Sequence, residues 1–166
     1  MATSKRRVIK NKVSKGEEAC WLWQEECLDS DLEGYEGFVY KITCKHPQYH
    51  NWVYIGKKSF LHKKTKRIGK RVIAATKTRK RVERTKISSQ WQNYYGSSRE
   101  LLEVINTIGK EWFTREVLDF GINKSDLSLK EVEYMIAFNT LRIKESWNNW
   151  CSCRIYKKHI IKLEKL

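Results

Sequence analysis

Two short segments, GFVYKIT at residues 37–43 and WVYIG at residues 52–56, decide how this chain folds. Both are rich in β-branched and aromatic residues, which favour strands. The residues between them include Pro47 and several polar side chains, which are typical of turns. The pattern predicts an antiparallel hairpin that brings Tyr40 and Tyr54 close together. Two neighbouring phenols beside a strongly basic segment indicate phosphodiester chemistry.

The sequence after the hairpin predicts two helices and one further strand. Ser98 is a predicted N-cap for a helix whose apolar residues recur with the helical period, and Gly109 is predicted to end it. Residues 112–120 are predicted to form a third strand, and residues 125–141 a final helix. The inner face of that helix is predicted to carry Leu129, Val132, Met135 and Ile136.

This order predicts the α+β class, with a small three-stranded antiparallel sheet flanked by helices and a basic insertion after the second strand. Trp147 and Trp150 are predicted to close the core. Three regions follow from the composition. They are a basic arm with an acidic helical segment (residues 1–36), the folded domain (residues 37–150) and a basic tail (residues 151–166).

Charge is the strongest compositional signal, with a formal net charge of +15 and a pI near 9.7. Residues 57–86 hold fourteen lysines and arginines against the single acid Glu83. A block of this density repels itself unless a polyanion is nearby, so we expect it to bind phosphates. No apolar run approaches the length of a membrane span. The expected partner is therefore a nucleic acid, and no membrane is expected.

The five cysteines predict free thiols rather than a disulfide framework. An odd number in a chain without a recognisable signal peptide indicates reduced cysteines in a cytoplasm-like compartment. Cys44 with His46, and Cys151 with Cys153, are spaced too closely for a zinc knuckle. We therefore expect small buried side chains and no zinc.

The hairpin resembles that of the GIY-YIG nuclease family. Tyr54-Ile55-Gly56 matches the second motif letter for letter, whereas Phe38-Val39-Tyr40 stands where the family has Gly-Ile-Tyr, with the glycine at Gly37. Residues 91–98 (WQNYYGSS) look like those of small phage-type, Seg-like members. The resemblance spans roughly residues 37–150. It implies a metal-dependent DNA endonuclease, encoded by a phage or mobile element and acting on double-stranded DNA in the host cytoplasm.

The resemblance also implies a glutamate on the late helix that holds Mg²⁺ or Mn²⁺. Glu131 and Glu133 are the candidates, and Glu131 is the preferred catalytic and metal-binding residue. An alternative interpretation makes Glu131 structural, since Ser128 and Glu131 have the spacing of a capping box. If the helix instead begins at Ser125, Glu131 lies inside it and is free to act.

In the family, the two tyrosines position the attacking water and an arginine on the first helix holds the scissile phosphate. The resemblance assigns the first role to Tyr40 or Tyr54, whose phenol needs neighbouring cations to act as a base. For the arginine, counting back from the aromatic segment at residues 91–95 favours Arg79, Arg81 or Arg84, and counting forward from Gly56 favours Arg67. Arg79 and Arg81 are the preferred candidates. Predicted DNA contacts are Lys57, Lys58, Lys63, Lys64, Arg67, Arg71, Arg84 and Asn148. Asn148 is alternatively a turn residue between two tryptophans.

Two other functions remain open from the sequence. Because the first motif departs from the family pattern, the chain is alternatively a non-catalytic nucleic-acid-binding protein on the same fold. The third interpretation is a basic RNA- or ribosome-associated protein without nuclease ancestry. In that case Tyr40, Tyr54 and Glu131 should be scattered rather than clustered.

Overall fold

The computed structural model describes residues 20–76 and 81–151. The strands are β1 (Trp21–Trp23), β2 (Glu26–Cys27), β3 (Gly37–Cys44), β4 (Val53–Ser59), β5 (Leu61–Arg67), β6 (Val82–Ser88) and β7 (Phe113–Gly121). The helices are α1 (Lys70–Thr76), α2 (Arg99–Ile108) and α3 (Lys124–Ala137). The arm before residue 20 and the tail after residue 151 lie outside the described residues.

The main sheet is mixed and has five strands in the order β2-β1-β7-β3-β4. It contains the predicted antiparallel unit, in which β3 pairs with both β4 and β7 and β4 forms one edge of the sheet. The prediction of three strands was wrong because β1 pairs in parallel with β7 and carries β2 at the edge. The α+β class is confirmed, with a larger sheet than expected.

The acidic segment before Gly37 forms a hairpin instead of the predicted helix. Gln24 and Glu25 both adopt positive φ angles of 50° and 69°, which turn the chain tightly between β1 and β2. Trp21 is fully buried, and its indole N–H donates to the carbonyl of Trp91 at 2.9 Å. Burial of this tryptophan holds the segment on the sheet, whereas Glu25, Glu26 and Asp29 remain at the surface.

The same hairpin joins Cys20 and Cys27 in a disulfide, with a Cα–Cα distance of 5.7 Å. The prediction of reduced thiols was therefore wrong for this pair. The separation of seven residues in the sequence did not predict this disulfide, because only the pairing of β1 with β2 brings the two Cα atoms within bridging distance. Cys44 is free and buried, as expected, and Cys151 is free but exposed.

Each face of the sheet is covered by different residues. Phe38, Tyr40 and Ile42 alternate along β3 and join an aromatic-rich cluster that includes Leu101 and Ile105 of α2. The opposite face packs Val39 and Ile55 against Leu127 and Met135 of α3, in a smaller aliphatic cluster. The hairpin strands are therefore buried on both sides, which fixes the orientation of their side chains.

The two long helices begin at different signals. Ser98 caps α2 by accepting from the N–H of Leu101, and Gly109 ends it, both as predicted. Helix α3 is capped by Asn123, whose side chain accepts from two backbone N–H groups. The capping box of Ser128 and Glu131 does not form, because both residues lie inside the helix.

Two expectations about the apolar residues of the C-terminal part were wrong. The inner stripe of α3 contains Leu127 and Met135, whereas Ile136 is 72% exposed. The helix spans Lys124–Ala137, and Ile136 points to solvent because the helical repeat turns it about 100° away from Met135, which packs on the sheet. Trp147 is buried in the core as predicted, but Trp150 is 73% exposed.

The basic insertion is a two-stranded antiparallel ribbon of β5 and β6, with α1 near its tip. Nearly all its side chains are exposed. The ribbon grows directly out of β4, separated from it by the buried Phe60, whose carbonyl accepts from Ser89. In residues 20–76 and 81–151, no helix is long and apolar enough to cross a membrane.

Candidate functional site

A cleft of about 440 Å³ lies beside the edge strand β4. Its wall is formed by β4, by the start of α2, by the inner face of α3 and by the segment that follows Trp147. The polar residues in its lining include Tyr54, Lys57, Ser97, Arg99, Glu131 and Asn148. Tyr54 and Glu131 thus meet in one cleft, which contradicts the scattering expected of a protein without nuclease ancestry.

Glu131 points towards the sheet from the inner face of α3. It lies one turn after Leu127 and one turn before Met135, both buried, so the helical repeat turns its side chain inward. Its Oε2 atom is 2.8 Å from the Nζ atom of Lys57, and Lys57 also donates to the Ser128 hydroxyl at 2.9 Å. Glu133, the other candidate, is exposed on the same helix.

The two motif tyrosines pack together, but only Tyr54 lines the cleft. Their ring centroids are 6.1 Å apart, and Tyr40 is fully buried beneath Tyr54. Gly56 lies opposite Tyr40 in the hairpin, where a Cβ atom would come within 2.5 Å of the Tyr40 hydroxyl. The glycine of the second motif is therefore required for space, because it lets the Tyr40 ring cross β4.

Tyr94 and Ser97 connect the two tyrosines and were missed by the sequence analysis. The Tyr54 hydroxyl lies 3.1 Å from the Ser97 hydroxyl. Tyr94 is hydrogen-bonded to both Ser97 and Tyr40. A chain of hydroxyls therefore runs from the buried Tyr40 to the cleft. The sequence signal was the segment at residues 91–98, which the resemblance singled out without a role.

Burial raises the pKa of Tyr40 well above its usual value of 10.0, and its tyrosine neighbours add to this effect. Burial also raises the pKa of Tyr94. The Lys58 ammonium lies 3.9 Å from the centroid of the Tyr94 ring, and burial lowers the pKa of Lys58. The expected activation of a phenol by nearby cations is therefore not seen at Tyr40, which stays protonated.

Asn148 binds the backbone of β4 rather than facing the cleft with a free amide. Its Oδ1 atom accepts from the N–H of Ile55 at 2.8 Å, and its Nδ2 atom donates to the Ile55 carbonyl at 2.7 Å. These two bonds continue the sheet on the outer edge of β4. Asn148 thereby holds the backbone between Tyr54 and Gly56, the position of the second motif.

Among the described residues, Arg99 is the arginine that lines the cleft, a position that the sequence spacing did not predict. It is the first residue of α2, and its Nε atom donates to Glu103 at 2.9 Å. Arg81 precedes β6 at the far end of the ribbon, roughly 20 Å from its base by the strand rise. Arg79 lies outside the described residues. The ribbon interrupts the usual spacing between the second motif and the arginine. The sequence feature that could have identified Arg99 is its position directly after the predicted N-cap Ser98.

The predicted DNA contacts divide into two groups. Lys57 and Lys58 lie on β4 near the tyrosines. The remaining basic residues lie on the ribbon or its tip helix, are exposed and do not line the cleft; they are Lys63, Lys64, Arg67, Arg71 and Arg84. The structure therefore separates Lys57 at the cleft, and Lys58 over the Tyr94 ring, from a larger cationic group on the ribbon.

The donors of the cleft suit a hydrated magnesium or manganese ion. Among the described residues, no three His, Cys, Asp or Glu side chains cluster. Mg²⁺ keeps several waters and needs one or two carboxylates. Glu131, which faces the cleft from a rigid helix, fits this requirement.

Comparison with known families agrees with the hairpin and the cleft. Residues 21–155 match a family model described as "Putative endonuclease segE, GIY-YIG domain". No curated protein and no solved structure gave a significant match. The matched region contains every described strand and helix, including β1 and β2. The chain therefore belongs to the GIY-YIG nuclease family, as a SegE-type member.

Proposed function

We propose that this protein is a metal-dependent endonuclease that hydrolyses phosphodiester bonds of double-stranded DNA. The observation that carries the proposal is the meeting of Tyr54, Glu131 and Arg99 in one cleft. Such a combination provides a hydroxyl for a water, a carboxylate for a cation and a guanidinium for a phosphate. A phage or mobile-element origin, with action in the host cytoplasm, completes the proposal.

Glu131 is the residue that would hold Mg²⁺ or Mn²⁺. When bound, the cation supplies Lewis-acid stabilisation of the charge that develops on the phosphate. Lys57 lies beside Glu131 and offsets its charge in the free protein. Because its Nζ atom carries three donors, it can also bind a phosphate oxygen of the substrate.

Tyr54 and Arg99 complete the proposed roles. The Tyr54 hydroxyl is oriented by Ser97 at the cleft wall, where it can accept from and position the attacking water. Tyr40 supports it from below through Tyr94 and makes no direct contact with the substrate. Arg99 can bind the scissile phosphate in a bidentate manner. Its present partner Glu103 is on the surface, so exchanging that partner for a phosphate carries little free-energy cost.

Nicking of supercoiled plasmid, with and without Mg²⁺, tests the proposal. We expect the wild type to nick only with the cation, and Glu131→Gln to lower the rate by on the order of 10³-fold. Glu133→Gln is the matched control, because it makes the same change on the exposed face of the same helix. It should nick like the wild type.

Two results would contradict the proposal in different ways. Equal nicking by Glu131→Gln and the wild type would remove Glu131 from the site. Salt-sensitive duplex binding by the wild type without nicking, in Mg²⁺ or Mn²⁺, would leave the non-catalytic nucleic-acid-binding protein instead. Circular dichroism of each variant verifies that a lost rate does not reflect unfolding.

A further inference from the structure

The two faces of the β5–β6 ribbon differ in charge. In an antiparallel pair, residues directly opposite each other share a face, and successive residues alternate between faces. The observed register therefore assigns every ribbon side chain to one side. One side, the basic face, carries Lys63, Arg67, Arg84 and Lys86. The other, the mixed face, carries His62, Lys64, Lys66 and Glu83.

The basic face is arranged unfavourably for an isolated protein. Lys63 and Lys86 lie directly opposite each other, and Arg84 is on the diagonal from Lys63. Like charges directly opposite on a sheet are destabilising. The mixed face instead pairs opposite charges, because Lys66 lies opposite Glu83. Both faces carry exposed cations. On the basic face these cations repel one another, whereas on the mixed face Glu83 offsets part of the positive charge.

The base of the basic face is connected to the helix that carries the candidate catalytic carboxylate. Lys63 and Lys86 line a depression of about 60 Å³ together with Lys124, the first residue of α3. Tyr35, His62 and Glu36 also line it, and Lys124 lies 4.0 Å from Glu36. Glu131 follows Lys124 by two helical turns, which is about 10 Å. The base of the basic face therefore lies beside the N-terminal end of the helix that carries Glu131.

We propose that the basic face of the ribbon, and not the mixed face, binds the phosphate backbone of duplex DNA beside the cleavage site. The inference rests on the proposed function, which supplies duplex DNA as the partner. Seven paired residues extend roughly 23 Å, which covers about seven base pairs. Phosphates placed between Lys63, Lys86 and Arg84 would replace mutual repulsion by attraction. The mixed face then remains in solvent, so this proposal assigns no phosphate to Lys64, which the sequence had predicted to contact DNA.

The test compares two double variants of the full chain, made in a Glu131→Gln background so that the DNA stays uncut. One is Lys63→Gln with Lys86→Gln, and the matched control is Lys64→Gln with Lys66→Gln. Each removes two positive charges from the same ribbon. The measurement is the affinity for a 20-base-pair duplex over a range of salt concentrations, together with that for a single-stranded RNA of equal length.

We expect the basic-face variant to lower the slope of log affinity against log salt by about 2, and the control to leave it nearly unchanged. Thermal denaturation separates binding from folding. Because the basic-face variant removes repulsion, its midpoint should equal or exceed that of the parent. If that variant does not fold, single Arg84→Gln and Lys64→Gln variants make the same comparison.

Equal slope losses in the two double variants, or a larger loss from the mixed face, would overturn the proposal. So would a basic-face loss confined to single-stranded RNA, or an absence of duplex binding in the parent. None of these results depends on catalysis. If the wild type does not nick plasmid but the two double variants still differ in salt slope, the proposed endonuclease activity is contradicted. The assignment of DNA binding to the basic face is then unaffected.

Discussion

In the cleft, packed neighbours hold most of the functional side chains, whereas the side chains of the β5–β6 ribbon contact mainly solvent. Tyr54 rests on Tyr40, and Asn148 is bonded to Ile55. The ribbon strands are paired to each other and joined to the domain mainly around Phe60. This protein therefore places the residues proposed for chemistry, which need a fixed geometry, in the cleft. The residues proposed for binding, which need mainly charge, lie on the ribbon.

The largest difference between the cleft and the ribbon is expected for glycine substitutions. In Gly56→Ala, the new methyl group would lie within 2.7 Å of two buried atoms of Tyr40. Overpacking of this kind should lower the free energy of unfolding by about 3 kcal/mol and displace Tyr54. Gly69→Ala is the control in the ribbon, where a Cβ atom meets nothing within 4 Å.

Urea denaturation of both variants measures the difference. The Gly69→Ala variant should stay within roughly 0.5 kcal/mol of the wild type. If Gly56→Ala were equally stable and nicked plasmid normally, the tyrosine packing described for the cleft would be incorrect.

An effect of intermediate size is expected from substitution of one of two adjacent asparagines near the cleft. Asn148→Ala removes both hydrogen bonds to Ile55 and should lower the free energy of unfolding by about 2 kcal/mol. Because β4 then loses its outer support, the nicking rate should fall as well. Asn149→Ala changes an exposed neighbour that also lines the cleft, and it should have little effect on the free energy of unfolding. Parallel chemical denaturation and nicking assays test this, and equal effects would contradict the assigned role of Asn148.

The smallest expected effect is a dependence of stability on alkaline pH. The folded protein raises the pKa of Tyr40 and Tyr94, so it favours their protonated forms. That stabilisation is fully present below pH 10.0 and is lost as the pH rises through the higher folded pKa values. The ribbon, residues 61–88, contains no tyrosine and contributes nothing to this term.

Denaturation of the wild type and of Tyr94→Phe between pH 9 and pH 11 measures this term. We expect the variant to be less stable at pH 9, because the Tyr40 hydroxyl loses its partner, and to lose stability less steeply above pH 10. An identical slope in the two proteins would show that Tyr94 does not titrate with a raised pKa.

The sequence alone predicted the features that depend on local patterns. β-Branched and aromatic residues on either side of a polar, turn-prone stretch predicted the β3–β4 hairpin, and Ser98 and Gly109 marked the ends of α2. The charge of residues 57–86 indicated an exposed insertion because a dense cationic block cannot be buried. The choice of Glu131 over Glu133 remains a prediction, and the structure favours it by turning Glu131 towards the cleft.

Tertiary structure decided what depends on contacts between distant segments. The disulfide of Cys20 and Cys27 and the burial of Trp21 require the β1–β2 hairpin, which residue spacing did not reveal. Arg99 reaches the cleft, and Arg81 does not, because the ribbon carries Arg81 away along its strands. Local sequence therefore determined which elements form, whereas strand pairing and helix packing decided which side chains meet, since those meetings join residues far apart in the chain.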